Sequence, residues 1–286
     1  MAAIREGRRS PAGNARSITE TGSERGGWLV SDQGEIAFLP GNMTPYDLQG
    51  EIESAVEQVR HHTMVTFPRL AMTYQMAAFC DEANVPGDFV ECGVWKGGVS
   101  ALMAIANLRH GSARRTLHLF DSFVDMCEPD ESVDGERAIR EARQWANRSD
   151  DLTGALVAME GFYSTMGGPG SAAVCSALLE GIGYPDDRVS IHEGWFQDTM
   201  PHAKEQIGEV AILRLDSDFY ASTRYCLEQL FDRVVPGGFV IFDDYGCYEG
   251  CKKAVDEFLG SRRPRYFLHH ADAECRYIQK LSLIHI

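Results

Sequence analysis

Two short apolar segments of this chain are each followed directly by acidic residues. The segment 210–215 precedes Asp-Ser-Asp at 216–218, and the segment 238–242 precedes Asp-Asp at 243–244. Uninterrupted apolar runs of this length, rich in Val, Ile and Phe, are typical of strands buried in a parallel sheet. Parallel strands need crossover connections and helices on both faces of the sheet, so these segments predict an α/β fold.

The acidic residues after the two strands are candidate metal ligands. In an open α/β sheet, ligands bind just outside the carboxyl ends of the strands. If the two strands are neighbours, Asp216, Asp243 and Asp244 converge there as hard oxygen ligands suited to Mg²⁺ or Ca²⁺. The alternative is that these aspartates cap the helices that follow. Two consecutive aspartates after one strand and a spaced pair after the other exceed what capping needs, so we favour a metal site.

Other segments predict the same alternation of strands and helices. Further strands are predicted at 89–92, 117–120, 189–192, 266–269 and 276–279, with helices between most of them. A strand, a helix and a strand between residues 89 and 120 form a βαβ unit. We therefore predict a doubly wound, Rossmann-like α/β sheet of about seven strands with an N-terminal helical extension.

The domain boundaries follow from composition. Residues 1–44 contain many Gly, Ser and Pro but few periodic apolar positions, so we expect a flexible tail followed by a single domain over 45–280. The segment 125–183 is longer than a crossover needs, and we expect it to form a lid over the acceptor. Residues 281–286 resemble a translated sequencing adaptor and are left out of the fold prediction.

Composition excludes several classes of partner. The formal net charge of −15 disfavours nucleic acid, whose phosphates would be repelled. No apolar stretch approaches the roughly 18 residues of a membrane span, and the N-terminus has no secretory apolar core. The eight cysteines are scattered over a large domain, which is typical of reduced thiols. We therefore expect a cytoplasmic protein that binds neither nucleic acid nor membranes.

The strand at 89–92 leads into a glycine-rich turn, Glu-Cys-Gly-Val-Trp-Lys-Gly-Gly at 91–98. This turn matches neither of the glycine patterns that cradle phosphates. It carries an acid, Glu91, and a second acid, Asp121, ends the next strand, where doubly wound folds hold a ribose diol. Acids at these places suit a nucleoside with a positive charge, such as S-adenosylmethionine, rather than phosphates. A packing turn beside a surface acid is the alternative.

Several stretches of the chain, in order, resemble the macrocin O-methyltransferase family of bacterial natural-product tailoring enzymes. They are residues 62–65 with 69–70, 85–98, 121–123, 194–201, 213–223 and 236–245. Members of this family are metal-dependent and have the class I methyltransferase fold, so the resemblance implies S-adenosylmethionine and Mg²⁺ as cofactors.

The resemblance also implies a role for each matched position. In the implied cofactor site, Thr63 and Met64 close over the cofactor. Its methionine part is surrounded by Glu91, Gly93, Val94 and Ser100. Asp121 with Ser122 holds the ribose, and Trp195 and Phe196 lie near the adenine. The implied Mg²⁺ ligands are Asp216, Asp243 and Asp244. Asp216 is the predicted general base, with Asp218 and His192 as alternatives.

The predicted activity is Mg²⁺-dependent O-methylation of a small natural product in antibiotic biosynthesis. The acceptor is expected to be a hydroxyl of a sugar, a vicinal diol or a phenol. Two alternatives stay open on the sequence: a Mg²⁺-dependent hydrolase or hydroxylase-like relative with the same fold, and a partner subunit that binds S-adenosylmethionine without catalysis. We expect that a homo-oligomer, if one forms, associates through the N-terminal helices.

Overall fold

The computed structural model describes residues 27–30, 36–39, 48–148 and 150–281. The chain divides into two compact units, Met1–Gln49 and Gly50–Ile286.

The first unit contains an antiparallel hairpin inside the segment predicted to be a tail. Its strands are β1 (Gly27–Val30) and β2 (Ile36–Leu39), with Gly27 opposite Leu39. The rest of the predicted tail (1–44), residues 45–47 and residues 282–286 of the adaptor-like end lie outside the described residues.

The second unit is built on a mixed sheet. Its strands are β3 (Asp88–Cys92), β4 (Leu117–Asp121), β5 (Val189–Glu193), β6 (Val210–Leu215), β7 (Val234–Phe242), β8 (His269–His270) and β9 (Arg276–Gln279). The spatial order is β5-β4-β3-β6-β7-β9-β8. The first five strands in this order are parallel, whereas β9 pairs antiparallel with both β7 and β8. The predicted Rossmann-like sheet is confirmed. Of the predicted strand 266–269, only His269 is in a strand, the two-residue β8 that pairs with β9.

Helices connect the strands and cover the sheet. They are α1 (Gln49–Val59), α2 (Phe67–Glu82), α3 (Gly98–His110), α4 (Gly135–Trp145), α5 (Ala172–Gly181), α6 (Phe196–Ala203), α7 (Tyr220–Leu230) and α8 (Glu249–Gly260). The sequence analysis missed α5 and α6. Helix α5 buries only Cys175 and Leu179, and α6 is short and contains Pro201, so neither has a strong periodic signal. None of the described helices is long and apolar enough to cross a membrane.

The sheet topology determines where a ligand can enter. The chain leaves β3 toward β4 on one side and reaches β6 on the other, so the connections diverge between β3 and β6. Ligands of doubly wound folds bind at such a switch point, outside the carboxyl ends of the strands. Strand β6 is buried along its whole length. The polar residues that follow these strands therefore stand at the edge of the core.

The segment 125–183 lies between β4 and β5 and is structured. It contains α4 and α5 and two isolated antiparallel bridges, Cys127 to Ala158 and Asp130 to Thr153. Met159 and Phe162 are buried in the main hydrophobic core. Whether this segment acts as a lid stays a prediction, but it is packed on the domain rather than extended from it.

Candidate active site

A cavity of about 320 Å³ lies at the carboxyl ends of β3, β4, β6 and β7. Gly93 follows β3, Asp121 ends β4, Asp216 follows β6, and Asp243 and Asp244 follow β7, and all of them line the cavity. The folding of the sheet thus brings together acidic residues that are far apart in the sequence. The expected position of the site, at the switch point, is where the cavity is found.

Asp121 holds the glycine-rich turn in place. Its Oδ2 accepts hydrogen bonds from the backbone N–H groups of Val94 (2.7 Å) and Trp95 (2.8 Å), and its Oδ1 accepts one from Phe123 (2.6 Å). Burial raises the pKa of Asp121. A carboxylate has about four lone-pair positions, so three accepted bonds leave room for one hydroxyl of a ligand. The predicted ribose contact stays compatible with this geometry.

Gly93 lets the turn lie directly against the strand end that carries Asp216. Its φ is +88°, and a Cβ at this position would stand 1.8 Å from the backbone oxygen of Asp216. Only glycine adopts this backbone region without strain and leaves space for so close a contact. The backbone N–H of Asp216 also donates to the carbonyl of Cys92 (2.8 Å). The turn and the acidic strand end therefore form one rigid junction.

Glu91 is buried beneath the cavity rather than exposed in it. It accepts hydrogen bonds from Nη1 of Arg214 (2.8 Å) and from the hydroxyl of Ser100. Burial raises the pKa of Glu91 to about 7. Of the predicted cofactor residues, Met64, Gly93, Asp121, Ser122, Trp195 and Phe196 line the cavity, whereas Thr63, Glu91, Val94 and Ser100 do not. The contact of the second set with the cofactor stays a prediction.

Three carboxylates converge in the cavity, and we refer to Asp216, Asp218 and Asp244 as the carboxylate cluster. One oxygen of each lies within 4.8 Å of the others. Because Mg²⁺ takes six oxygen ligands at about 2.1 Å, opposite ligands stand about 4.2 Å apart, so three oxygens within 4.8 Å of one another are close enough to converge on one ion. The set offers hard oxygen ligands only, which favours Mg²⁺ over softer metals. The residues present therefore fit the implied ion.

The electrostatics of the carboxylate cluster also favour a bound cation. Burial raises the pKa of all three carboxyl groups. In Asp218 and Asp244 the neighbouring acids raise the pKa further, whereas Arg214 opposes the rise in Asp216. Buried like charges repel unless a proton or a cation is shared among them. A divalent cation would relieve this repulsion.

Asp243 lies outside the carboxylate cluster, and its predicted role as a Mg²⁺ ligand stays a prediction. Nη1 of Arg69 donates to its Oδ2 (2.7 Å), and Nη2 of Arg214 lies 2.9 Å from its Oδ1. Both oxygens of this buried carboxylate face guanidinium groups. Asp218, which the sequence offered only as an alternative base, joins Asp216 and Asp244 instead.

The structure does not place these aspartates at the N-caps of the helices that follow them. Helix α7 has Phe219 at its N-cap position and α8 has Tyr248, so none of the four aspartates occupies either cap. The N–H of Tyr220 in the first turn of α7 donates instead to Asp134 (2.7 Å), from the segment before α4. The aspartates are thus free of the helix-capping role that the sequence left open.

His192, the other alternative base, lies away from the cavity lining. Its ring stacks on Phe120 with a centroid separation of 4.2 Å and lies parallel to the ring of His118 at 5.7 Å. Burial lowers the pKa of His192 to about 4. His192 is not among the residues that line the cavity, whereas Asp216 and Asp218 both line it.

The outer wall of the cavity comes from the segment after β4, and the sequence analysis did not identify its residues. It is formed by the apolar side chains of Val124, Met126, Trp145, Leu156, Phe162, Tyr163 and Met166. A polar pair stands beside this apolar wall, in which Nε of Arg137 donates to Glu141 (2.9 Å). The cavity therefore combines a polar floor with an apolar wall. Trp145, Leu156 and Val124 are 40 %, 41 % and 43 % exposed, which gives the mouth an apolar rim.

Comparison with known proteins supports the family that the motifs suggested. A model of the macrocin O-methyltransferase (TylF) family matches residues 52–151 and 171–280. The chain belongs to this family. It is a methyltransferase that uses S-adenosylmethionine and acts on oxygen, as its relatives do. This favours the predicted transferase over the hydrolase-like and non-catalytic alternatives.

Curated relatives of this family act on small-molecule natural products. The chain is 37 % identical over 200 residues to 8-demethyl-8-(2,3-dimethoxy-alpha-L-rhamnosyl)-tetracenomycin-C 4'-O-methyltransferase of Streptomyces olivaceus, covering 70 % of this chain and 68 % of the relative. It is 34 % identical over 197 residues to demethyldecarbamoylnovobiocin O-methyltransferase of Streptomyces niveus, covering 69 % and 67 %.

A solved structure confirms the class I methyltransferase fold. The O-methyltransferase NovP superposes with a TM-score of 0.62 at 32 % sequence identity, over 77 % of this chain and 83 % of that chain. The calicheamicin methyltransferase CalS11 superposes with a TM-score of 0.51 at 16 % identity, which reflects the fold alone.

Proposed function

We propose that this enzyme transfers the methyl group of S-adenosylmethionine to a sugar hydroxyl of a glycosylated natural product, and that it depends on Mg²⁺. The observation that carries this proposal is the carboxylate cluster, which lies in the same cavity as the glycine-rich turn. The name of the Streptomyces olivaceus relative includes a rhamnosyl group, which supports a sugar as acceptor.

The carboxylate cluster would hold the metal ion. When bound there, Mg²⁺ acts as a Lewis acid that makes a neighbouring hydroxyl more acidic and orients it. Asp216 and Asp244 are the two ligands that the sequence prediction and the cluster share, and Asp218 is the third carboxylate of the cluster. The backbone N–H of Asp218 donates to Oδ2 of Asp244 (3.1 Å), which ties the Asp244 carboxylate to the chain segment that carries Asp218.

Asp216 is our candidate for the general base. It is the member of the carboxylate cluster that touches the glycine-rich turn, through its backbone contact with Gly93. A base must lie within hydrogen-bond reach of the proton it removes, so proximity to the methyl donor favours Asp216. Nη1 of Arg214 donates to its Oδ2 (2.8 Å), which stabilises the carboxylate form. Asp218 is the alternative base.

The apolar wall supports an acceptor with a large apolar part. Ligand pockets fix orientation with a few polar groups and gain affinity from apolar surface. The sugar would lie over the carboxylate cluster, and the apolar part of the acceptor would pack against side chains such as Trp145 and Phe162. Holding the hydroxyl in line with the sulfonium methyl contributes to the rate through proximity and orientation.

The test is methyl transfer from S-adenosylmethionine to a panel of glycosylated natural products and their aglycones, with Mg²⁺ and with EDTA. We expect activity on glycosides only, abolished by EDTA and by Asp216→Asn and Asp244→Asn. Asp187→Asn, in an exposed position outside the cavity, is the control and should retain activity. Full activity in EDTA would refute the role of Mg²⁺, and equal activity on the aglycones would refute the sugar acceptor.

The composition of the metal site is tested separately by Mn²⁺ titration of the protein with S-adenosylhomocysteine bound, followed by electron paramagnetic resonance. Asp218→Asn is expected to weaken Mn²⁺ binding more than Asp243→Asn, because both oxygens of Asp243 already face arginines. The opposite order would return Asp243 to the ligand set and exclude Asp218.

A further inference from the structure

Arg214 is a charged side chain in the middle of the most buried strand. It lies on β6, is 1 % exposed and is among the largest fully buried side chains of the protein. The neighbouring strand positions, Leu213 and Leu215, are apolar. A buried charge is destabilising unless it is paired and hydrogen-bonded, so the contacts that it makes define its role.

Those contacts join three adjacent strands. Nη1 of Arg214 donates to Glu91 on β3 (2.8 Å) and to Asp216 after β6 (2.8 Å), and Nη2 lies 2.9 Å from Asp243 after β7. Glu91 belongs to the glycine-rich turn, whereas Asp216 belongs to the carboxylate cluster. One guanidinium group therefore connects the turn that faces the methyl donor with the cluster that faces the acceptor.

The arginine side chain suits this connection because its donors are fixed in one plane. Guanidinium N–H groups form a rigid fork, whereas the lysine ammonium is a point charge on a flexible stem. A group that is planar and held by three carboxylates cannot rotate without breaking at least one of those contacts. The direction of the Asp216 carboxylate is thus determined by where Arg214 lies.

A second arginine holds the other side of this arrangement. Arg69, from α2, donates to Asp243 (2.7 Å) and to Asp272 (2.7 Å). Asp243 is therefore fixed between two guanidinium groups and cannot follow Arg214 if that side chain moves. This contact anchors the far end of the network to a helix and to the loop before β9.

We propose that Arg214 is a positioning residue, which holds the Asp216 carboxylate in the orientation that the carboxylate cluster needs to bind a divalent cation. Arg214 itself does not line the cavity, so it acts through Asp216 rather than on a substrate. This inference rests on the proposed metal site. Hydrogen-bonding partners of metal ligands orient those ligands, and their loss weakens metal binding or activity by about 10–100-fold.

The test compares Arg214→Lys with Arg115→Lys. Arg115 is a second largely buried arginine with a carboxylate partner, Asp81 (2.6 Å), and it donates to the carbonyl of Val85 (2.7 Å). It lies before the amino end of β4, whereas the cavity lies at the carboxyl ends of the strands. Both substitutions retain the positive charge and remove the planar guanidinium group. They differ only in which hydrogen bonds are lost, those beside the cavity or those at the other end of the strands.

Mn²⁺ affinity is measured by electron paramagnetic resonance with S-adenosylhomocysteine bound, and folding is checked by circular dichroism. For Arg214→Lys we expect a Mn²⁺ Kd about 10–100-fold above that of the unsubstituted enzyme. The expected value of kcat falls, with the KM for S-adenosylmethionine changing much less. For Arg115→Lys we expect the Mn²⁺ Kd to be unchanged, even where thermal stability is lower.

The outcomes separate this inference from the proposed function. If the unsubstituted enzyme binds no Mn²⁺, the metal site of the proposed function is wrong, and the inference is overturned with it. If that enzyme binds Mn²⁺ and a folded Arg214→Lys variant binds it equally well, only the positioning role is overturned. Should Arg214→Lys and Arg214→Gln both fail to fold while Arg115→Lys folds, Arg214 is a structural residue and the inference is also overturned.

Discussion

The junction between the glycine-rich turn and the acidic strand end can be tested by adding a single methyl group. In Gly93→Ala the new Cβ would stand 1.8 Å from the backbone oxygen of Asp216, against 3.4–4 Å for ordinary contact. The turn and the strand end must then separate by more than an ångström. Both carry functional groups, the backbone N–H groups of Val94 and Trp95 on one side and the Asp216 carboxylate on the other.

The substitution has two kinds of effect: the backbone strain lowers stability, and the displacement lowers the rate and the affinity for S-adenosylhomocysteine. Alanine at a φ of +88° costs about 1–2 kcal/mol of stability, which corresponds to about 2–4 °C in Tm for each kcal/mol. A displacement of about 1 Å at a catalytic centre lowers the rate by about 10²-fold, equivalent to about 2.7 kcal/mol in activation free energy. We also expect the Kd for S-adenosylhomocysteine to rise by at least about tenfold, since the loss of one hydrogen bond to a charged group costs about 1.5–3 kcal/mol.

Gly183→Ala is the matched control for Gly93→Ala. Gly183 has a φ of +79°, and a Cβ there would meet no atom within 4 Å. The control therefore carries the backbone strain without the clash. Circular dichroism melting should show a larger stability loss in Gly93→Ala than in Gly183→Ala, because the clash adds to the backbone strain. Affinity and rate are measured by calorimetric titration with S-adenosylhomocysteine and by methyl transfer. These measurements should show a loss of affinity and rate in Gly93→Ala only, and equal affinity and rate in both would refute the argument.

Two further predictions concern pH and a buried hydrogen bond of Tyr248, which lines the cavity. The folded-state pKa values of the carboxylate cluster are raised above those of the unfolded chain, so the apoenzyme loses stability as the pH rises through them. Because Mg²⁺ replaces the bound protons, the Tm increase on adding Mg²⁺ should be larger at about pH 8 than at about pH 6, and an increase that is independent of pH would contradict this. Tyr248→Phe should lower the unfolding free energy by about 1–3 kcal/mol, because its hydroxyl donates to the buried Glu141 (2.6 Å). Tyr220→Phe, whose partner Glu257 is exposed, is the control for denaturant unfolding and should lose less, and an equal loss would show that burial of the bond does not matter.

The sequence alone determined the fold and the location of the site. Strands buried on both faces are apolar along their length, so short apolar runs in the sequence predict β3, β4, β6 and the end of β7. Parallel strands present their carboxyl ends at one edge, so acids that follow them are expected to meet there. The position of Asp121 after β4 and the glycine-rich turn after β3 needed no knowledge of packing.

Only the tertiary structure decided which acids lie close together. Successive side chains at a strand end point in opposite directions, so a pair such as Asp243 and Asp244 can belong to two different environments. Asp243 is paired by Arg69, which lies 174 positions earlier in the chain, and by Arg214 on the neighbouring strand. Such contacts depend on how distant helices and strands pack, which local composition does not encode. For the same physical reason, local composition did not indicate that Asp218 lies with Asp216 and Asp244, or that Arg214 contacts Asp216.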